Sequence, residues 1–197
     1  MTAAVIERGG KRSYRAVAPA DTAAPQSIAV DRSFAAVPIV KWRSVNVPDY
    51  GFDTWDKLYT ERQLLTLATF ADLIGENRDA MLDEGSTREW ADAVTTLLAL
   101  FLGKLAQHQS SQVRWWFPPA ARSKAVSAFD RNDLPMLWDF AEPSFMCNSV
   151  GGWLRLVEQA LKGLSKVAHG TGTVRSVDAR TAHCGGSLIA TDPPYFD

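Results

Sequence analysis

Cysteine, charge of one sign, long apolar runs and a cofactor-type glycine turn are all scarce in this sequence, and each shortage narrows the reading. There are two cysteines, Cys147 and Cys184, and no C-x-x-C pair. They are too few for a disulfide framework and lack zinc-ligand spacing, which points to a reducing, cytoplasmic setting. Lys+Arg number 21 against Asp+Glu 22, a formal net charge of −1. Any nucleic-acid role must therefore come from a local basic patch and not from an overall surplus. No segment approaches ~18 uninterrupted apolar residues, and the opening MTAAVIERGGKRSYRAV has no apolar core of signal-peptide length, so no membrane partner is expected. The only G-x-G, in HGTGTV (169–174), precedes a β-type run where a cofactor turn would follow one. Gly170 and Gly172 read as a helix stop and a turn.

What is present suffices for one ordinary core with a small appendage: 197 residues, 46% hydrophobic, with seven tryptophans. The tryptophans read mainly as core or interface anchors. Residues 1–50 show no sustained period, are rich in Ala, Pro, Thr and Ser over 16–29, and carry Arg8, Lys11, Arg12 and Arg15 just before. They read as an extended arm or linker. The spacing then predicts three helices. Thr60 caps the first, over 61–83, which carries a 3.6-residue apolar stripe through Leu64, Leu67, Ala71 and Ile74 and stops at Gly85. Ser86-Thr87-Arg88-Glu89 fits a capping box for a second, over 87–109, antiparallel to the first. Gly151-Gly152 opens a third, over 152–168. Residues 110–150 are irregular. Beyond them, GTVRSVDA (172–179) and GSLIAT (186–191) predict short strands near 173–177 and 187–191.

The second of these runs leads into Asp192-Pro193-Pro194-Tyr195. Open α/β sheets place their ligands just beyond the carboxyl ends of strands. An acid there accepts a hydrogen bond, two prolines stiffen the turn and leave carbonyls free, and a tyrosine ring offers a stacking face. Acceptor, acceptor and ring suit a planar group with an exocyclic amine, such as a flipped base. The plainer alternative is a Pro-rich turn with a packing tyrosine.

TDPPY (191–195) resembles motif IV of the amino-group DNA methyltransferases, which act on adenine N6 or cytosine N4. Further stretches, YGFDTWDKLYTERQLLTLATFADLI (50–74), LPMLWDFAEPSF (134–145) and VDARTAHCGGSLIATDPPYFD (177–197), resemble a bacterial and archaeal group of adenine-specific DNA methylases carrying domain of unknown function 1156. The resemblance covers most of the chain from about residue 40. It implies an α-rich α+β fold: an arm over 1–50, a family-specific helical region over 51–168, and over 169–197 the start of an incomplete Rossmann-like methyltransferase α/β sheet. It also implies S-adenosylmethionine as cofactor and DNA as partner. Asp192 and the Pro193 carbonyl would hold the target amine, with Pro194 in the same turn, and Tyr195 would stack on the base. Asp178, in VDA (177–179), would contact the cofactor; a helix cap or turn acid is the alternative. The family's glycine-rich cofactor motif and remaining strands are not in this sequence. The chain is therefore expected to be a fragment, inactive alone: either a natural truncation or a split subunit that works with a complementary methyltransferase chain.

Between Ala93 and Phe129 there is no acidic residue, while Lys104, His108, Arg114, Arg122 and Lys124 occur beside Trp115 and Trp116. Lys104, Arg114, Trp115, Arg122 and Lys124 are candidate nucleic-acid contacts, basic groups for phosphates and an aromatic for bases. The alternative is a buried helix followed by a solvated loop. His183-Cys184 reads as a turn, and Cys147 as a small buried apolar residue. A second class of function stays open: a non-enzymatic helical module that binds nucleic acid or a partner subunit. With no cofactor-type glycine turn, the isolated chain should bind S-adenosylmethionine poorly or not at all; calorimetric titration yielding a low-micromolar Kd would contradict this.

Overall fold

A computed structural model describes residues 3–9, 11–22, 30–119, 123–131, 133–167, 170, 172–178, 180–183, 185, 186 and 188–191. The chain is α+β: helices with two small antiparallel sheets. It divides into two units, Met1–Ser165 and Lys166–Asp197.

The first unit opens with a hairpin of β1 (Ala4–Arg8) and β2 (Lys11–Arg15), in the register Val5↔Tyr14 and Glu7↔Arg12. A short helix, α1 (Pro19–Thr22), follows. Arg15 clasps Asp21 at 2.6 Å, and together with the Ala18 amide it holds the Asp21 carboxyl down at about 2. The segment 1–50 therefore carries regular structure. The hydrophobic core draws on the second half of that segment: Ile39 and Val47 are buried together with Leu58 and Leu134, flanked by Val45, Phe52, Tyr59 and Phe129. Backbone bonds knit the two stretches that build it: Ile39 N–H to the Asp53 carbonyl at 2.7 Å, Asn46 N–H to the Leu134 carbonyl at 3.2 Å, and Leu134 N–H to the Ser44 carbonyl at 3.1 Å. Burial pushes the Tyr59 hydroxyl up to about 12.

Helix α2 (Glu61–Asp83) starts as its sequence predicts, with one adjustment of partner: Thr60 accepts from the Gln63 amide and Gln63 Oε1 accepts from the Thr60 amide at 2.9 Å, completing a capping box. Helix α3 (Arg88–Ala106) is capped differently from expectation. Thr87, and not Ser86, accepts from the amide of its third residue, Trp90. The cause lies in how α2 ends. Gly85 adopts φ +91, its N–H reaches the Leu82 carbonyl at 3.0 Å, and the Ser86 N–H reaches back to the Met81 carbonyl at 2.9 Å. That is a Schellman closure, which commits Ser86 to α2 and leaves Thr87 as the next extended residue. The two helices form an antiparallel pair, crossed by an Arg78–Asp92 ion pair at 2.6 Å.

α3 stops at Ala106, earlier than the expected 109, where the ladder tightens into a turn: the His108 amide reaches the Leu105 carbonyl at 2.8 Å, and the Gln109 amide is shared between the Leu105 and Ala106 carbonyls at 3.0 and 3.3 Å. Two strands missed by the sequence reading follow, β3 (Arg114–Trp116) and β4 (Lys124–Val126), paired antiparallel with Trp115 opposite Ala125. Helix α4 (Trp153–Leu164) follows Gly151 and Gly152 as expected and ends short of 168. The glycines are required there. Gly151 holds φ +90 against the Pro143 ring, and a Cβ on Gly152 would lie 1.7 Å from the Cys147 carbonyl oxygen. Phe70 of α2 anchors the start of α4, with its ring 4.7 Å from Trp153 and 5.9 Å from Phe145.

Within the second unit, the strands expected near 173–177 and 187–191 do not form: 172–178 and 188–191 join no ladder among the described residues. A strand exists by pairing, and the four strands among the described residues pair among themselves in the first unit. Val174 and Leu188 are 98% and 100% exposed, so packing does not substitute for pairing.

Burial, and not membership of an apolar stripe, decides what each position contributes to stability. Leu58→Ala, at a fully buried position, should cost about 2–5 kcal/mol in urea unfolding. Leu100→Ala, on α3 but 65% exposed, should change stability by no more than about 0.5 kcal/mol.

Candidate nucleic-acid interface

Beyond Gln107, the residue that caps α3, the six residues His108-Gln109-Ser110-Ser111-Gln112-Val113 are all buried although five are polar. Such burial requires partners, and they are there. The Leu58 carbonyl accepts from the Ser111 amide at 2.8 Å, from Ser111 Oγ at 2.8 Å and from Ser110 Oγ at 3.3 Å. Gln109 Nε2 donates to the Pro143 carbonyl at 2.8 Å. The Ala141 amide reaches the Val113 carbonyl at 2.7 Å, and the Ala128 amide reaches the Gln107 carbonyl at 2.9 Å. This connector fixes where β3 begins, so the hairpin is aimed by the core.

The alternation of a strand then sorts the side chains. Arg114, Trp116, Lys124 and Val126 share one face, with Trp115 and Ala125 on the other. Lys124 Nζ lies 5.4 Å above the Trp116 ring, and Trp116 and Phe117 are 46% and 65% exposed. Trp115 is half-buried. The Arg12 guanidinium sits 5.6 Å over its ring, Phe117 meets it edge-on at 5.9 Å, and Arg12 also donates to the Ser123 carbonyl. The first hairpin is thus stapled to the second through Arg12. The exposed stacking surfaces are Trp116 and Phe117, with Trp115 beneath.

Two cavities open beside the hairpin. One, of about 230 Å³, is lined by Lys104 of α3, Lys124 of β4 and Arg155 of α4, with His108 and Asp130. The other, of about 140 Å³, is lined by Arg114, Arg131 and Gln112 and shares Ser127 and Asp130 with the first. The structure therefore gathers Lys104, Arg114 and Lys124 around one hairpin. Arg122 lies outside the described residues. His108 joins from the same acid-free basic span as Lys104, whereas Arg155 comes from α4 and Arg12 from over 100 residues away. No local pattern signals the last two. The basic run containing Arg12 was visible, but its destination is a tertiary matter.

Asp178, in the second unit, is the acid of an exposed turn. Its carboxylate accepts from Arg180 at 2.6 Å and 3.1 Å and from the Arg180 amide at 2.9 Å, and the Arg180 side chain chiefly holds its carboxyl below the usual range. That pair is exposed and costs little to break, so it decides nothing about a ligand, but among the described residues no glycine turn joins a strand to a helix nearby. The described residues therefore do not fit S-adenosylmethionine. Asp192, Pro193, Pro194 and Tyr195 lie outside the described residues, as does Cys184; His183 is exposed. Cys147 is partly buried, with Sγ 3.3 Å from Ser149 Oγ. Among the described residues no group of three potential ligands could hold a metal, and no helix is long and apolar enough to cross a membrane.

Comparison with protein-family profiles, curated proteins and solved structures finds no match to this chain.

His108 gives the site a pH signature. Burial is the main cause pushing its imidazole below the ordinary value; the Lys104 ammonium adds to this, while the Lys104 carbonyl, 3.2 Å from Nδ1, and Asp130 oppose it. The unfolded chain takes up this proton first. The stability is therefore fully present above the unfolded value of about 6.5 and declines as pH falls below it. Urea midpoints should drop between pH 7.5 and 5.5, and His108→Gln should flatten that drop.

Proposed function

We propose that the chain is the DNA-contacting part of an amino-group DNA methyltransferase acting on adenine N6. Asp192-Pro193-Pro194-Tyr195 is the turn that receives the target base, and the Lys104–Arg114–Lys124 face lies along the phosphate backbone. The observation that carries this reading is the tetrapeptide itself, an acid, two prolines and an aromatic directly after an apolar run. The hairpin supports the DNA side. Phosphate contacts supply most duplex affinity, and exposed Trp116 and Phe117 suit stacking on unpaired bases. In this reading 169–197 belongs to a Rossmann-like sheet whose other strands come from a complementary methyltransferase chain. That chain also holds the cofactor, and the two work together in the cytoplasm.

The chemistry assigned to this chain is positioning. The Asp192 carboxylate and the Pro193 carbonyl accept from the exocyclic amine and orient its lone pair, and the Tyr195 ring stacks on the extruded base. A second reading, a non-enzymatic module that binds nucleic acid or a partner subunit, is favoured by one observation: among the described residues, 172–178 and 188–191 join no ladder.

The two readings separate on substitution. With the complementary chain supplied, Asp192→Ala should abolish methylation and leave duplex affinity within about twofold, since that affinity rests on phosphates. Tyr195→Ala should cost roughly five- to a hundred-and-fifty-fold, the loss of one stacking platform. Methylation indifferent to Asp192→Ala would remove the catalytic assignment. DNA binding with no methylation under any reassembly would favour the module.

A further inference from the structure

Lys104 leaves the last turn of α3, Lys124 begins β4, and Arg155 lies in the first turn of α4. All three line the same cavity of about 230 Å³, with one carboxylate, Asp130, on its wall. Three cations from three elements in one concavity repel one another, and here little offsets that repulsion. No ion pair joins either lysine to a carboxylate among the described residues. Lys104 Nζ donates to the neutral Gln107 Oε1 at 2.8 Å, and Lys124 Nζ sits over Trp116. Arg155 pairs with Glu158 at 2.9 Å, but Glu158 is also held by Lys162 at 2.8 Å and can release one partner. The pair is largely solvent-exposed, so little is lost when it breaks. Asp130 is already engaged, accepting from Ser127 Oγ.

We propose that this cavity is a binding site for a single phosphate group, held by Lys104, Lys124 and Arg155. The chemistry favours phosphate over a carboxylate. A tetrahedral oxyanion accepts from three directions at once and carries more charge. Lysines serve it as point charges, and the arginine fork can grip two of its oxygens. The volume, several waters at about 30 Å³ each, leaves room for a phosphate with part of its hydration shell. Arg155, absent from the sequence-based reading of the site, becomes part of it beside His108. The proposal rests in one respect on the nucleic-acid reading: a backbone phosphate of DNA is one source of the group, and a free phosphorylated ligand is the other.

The test uses the ¹⁵N-labelled full chain titrated separately with inorganic phosphate, adenosine monophosphate and a short duplex. Phosphate should shift the amides of Val126, Gly151 and Leu156, which line the cavity. The double variant Lys104→Gln, Lys124→Gln should weaken that binding by about tenfold or more. Both lysines are exposed, so the variant should keep its far-UV spectrum, and Arg155→Gln provides an independent check with the same expected direction. If the duplex shifts the same amides and the double variant weakens it, the phosphate comes from DNA. If phosphate and the monophosphate bind there but the duplex does not, the site serves a free ligand; the proposal stands and the DNA reading falls. If no cavity amide responds to phosphate, or the double variant binds it like the parent, the proposal is overturned. Duplex binding elsewhere would then leave the DNA reading intact.

Discussion

The Leu58 carbonyl is the point on which the first unit turns. It lies in the core beside Val47 and Leu134, and it accepts from the Ser111 amide and from the hydroxyls of Ser110 and Ser111. Left without partners at that depth, a carbonyl would cost about 1–3 kcal/mol, and each buried serine would add its own penalty. Together they join the end of the 37–58 segment to the connector that leaves α3. The same connector reaches Pro143 through Gln109 and Ala141 through Val113, so three stretches distant in sequence meet at one buried polar seam.

The position of the basic surface follows from this seam. β3 begins directly after Val113, and β4 is set by its pairing to β3 and by the Ala128–Gln107 bond. Arg12 brings the first hairpin in from the other side, its cation over Trp115 and its donor on the Ser123 carbonyl. Lys104, Lys124 and Arg155 then converge without any contact among themselves that would favour it. Folding energy from the core holds like charges together, the arrangement expected of a surface that meets an anion. The absence of a net basic surplus, with 21 basic against 22 acidic residues, makes the local concentration more telling.

The helices were legible because their signals are local. The α2 stripe, the Thr60 cap and the Gly85 stop all act within one or two turns, and only the choice between Ser86 and Thr87 depended on how the preceding helix closed. The hairpin at 114–126 was not legible. Its strands are three residues each, too short to show alternation, and its connector HQSSQV reads as solvated loop although it is buried. The β-type runs at 172–178 and 188–191 erred in the opposite direction. Their composition suits strands, but a strand needs a neighbour, and propensity does not supply one. Of the candidate contacts, Lys104, Arg114 and Lys124 gather at one hairpin with His108 of the same span, whereas Arg12 and Arg155 enter through tertiary packing alone.

The central claim is that this hairpin and its cavities meet nucleic acid through phosphates. The most direct measurement is the salt dependence of duplex binding by the full chain, followed by fluorescence anisotropy. If Lys104, Arg114, Lys124 and Arg155 each neutralise a phosphate, log K should fall linearly with log salt, with a slope of about −3 to −4. A slope near zero, or no binding at low salt, would contradict the account.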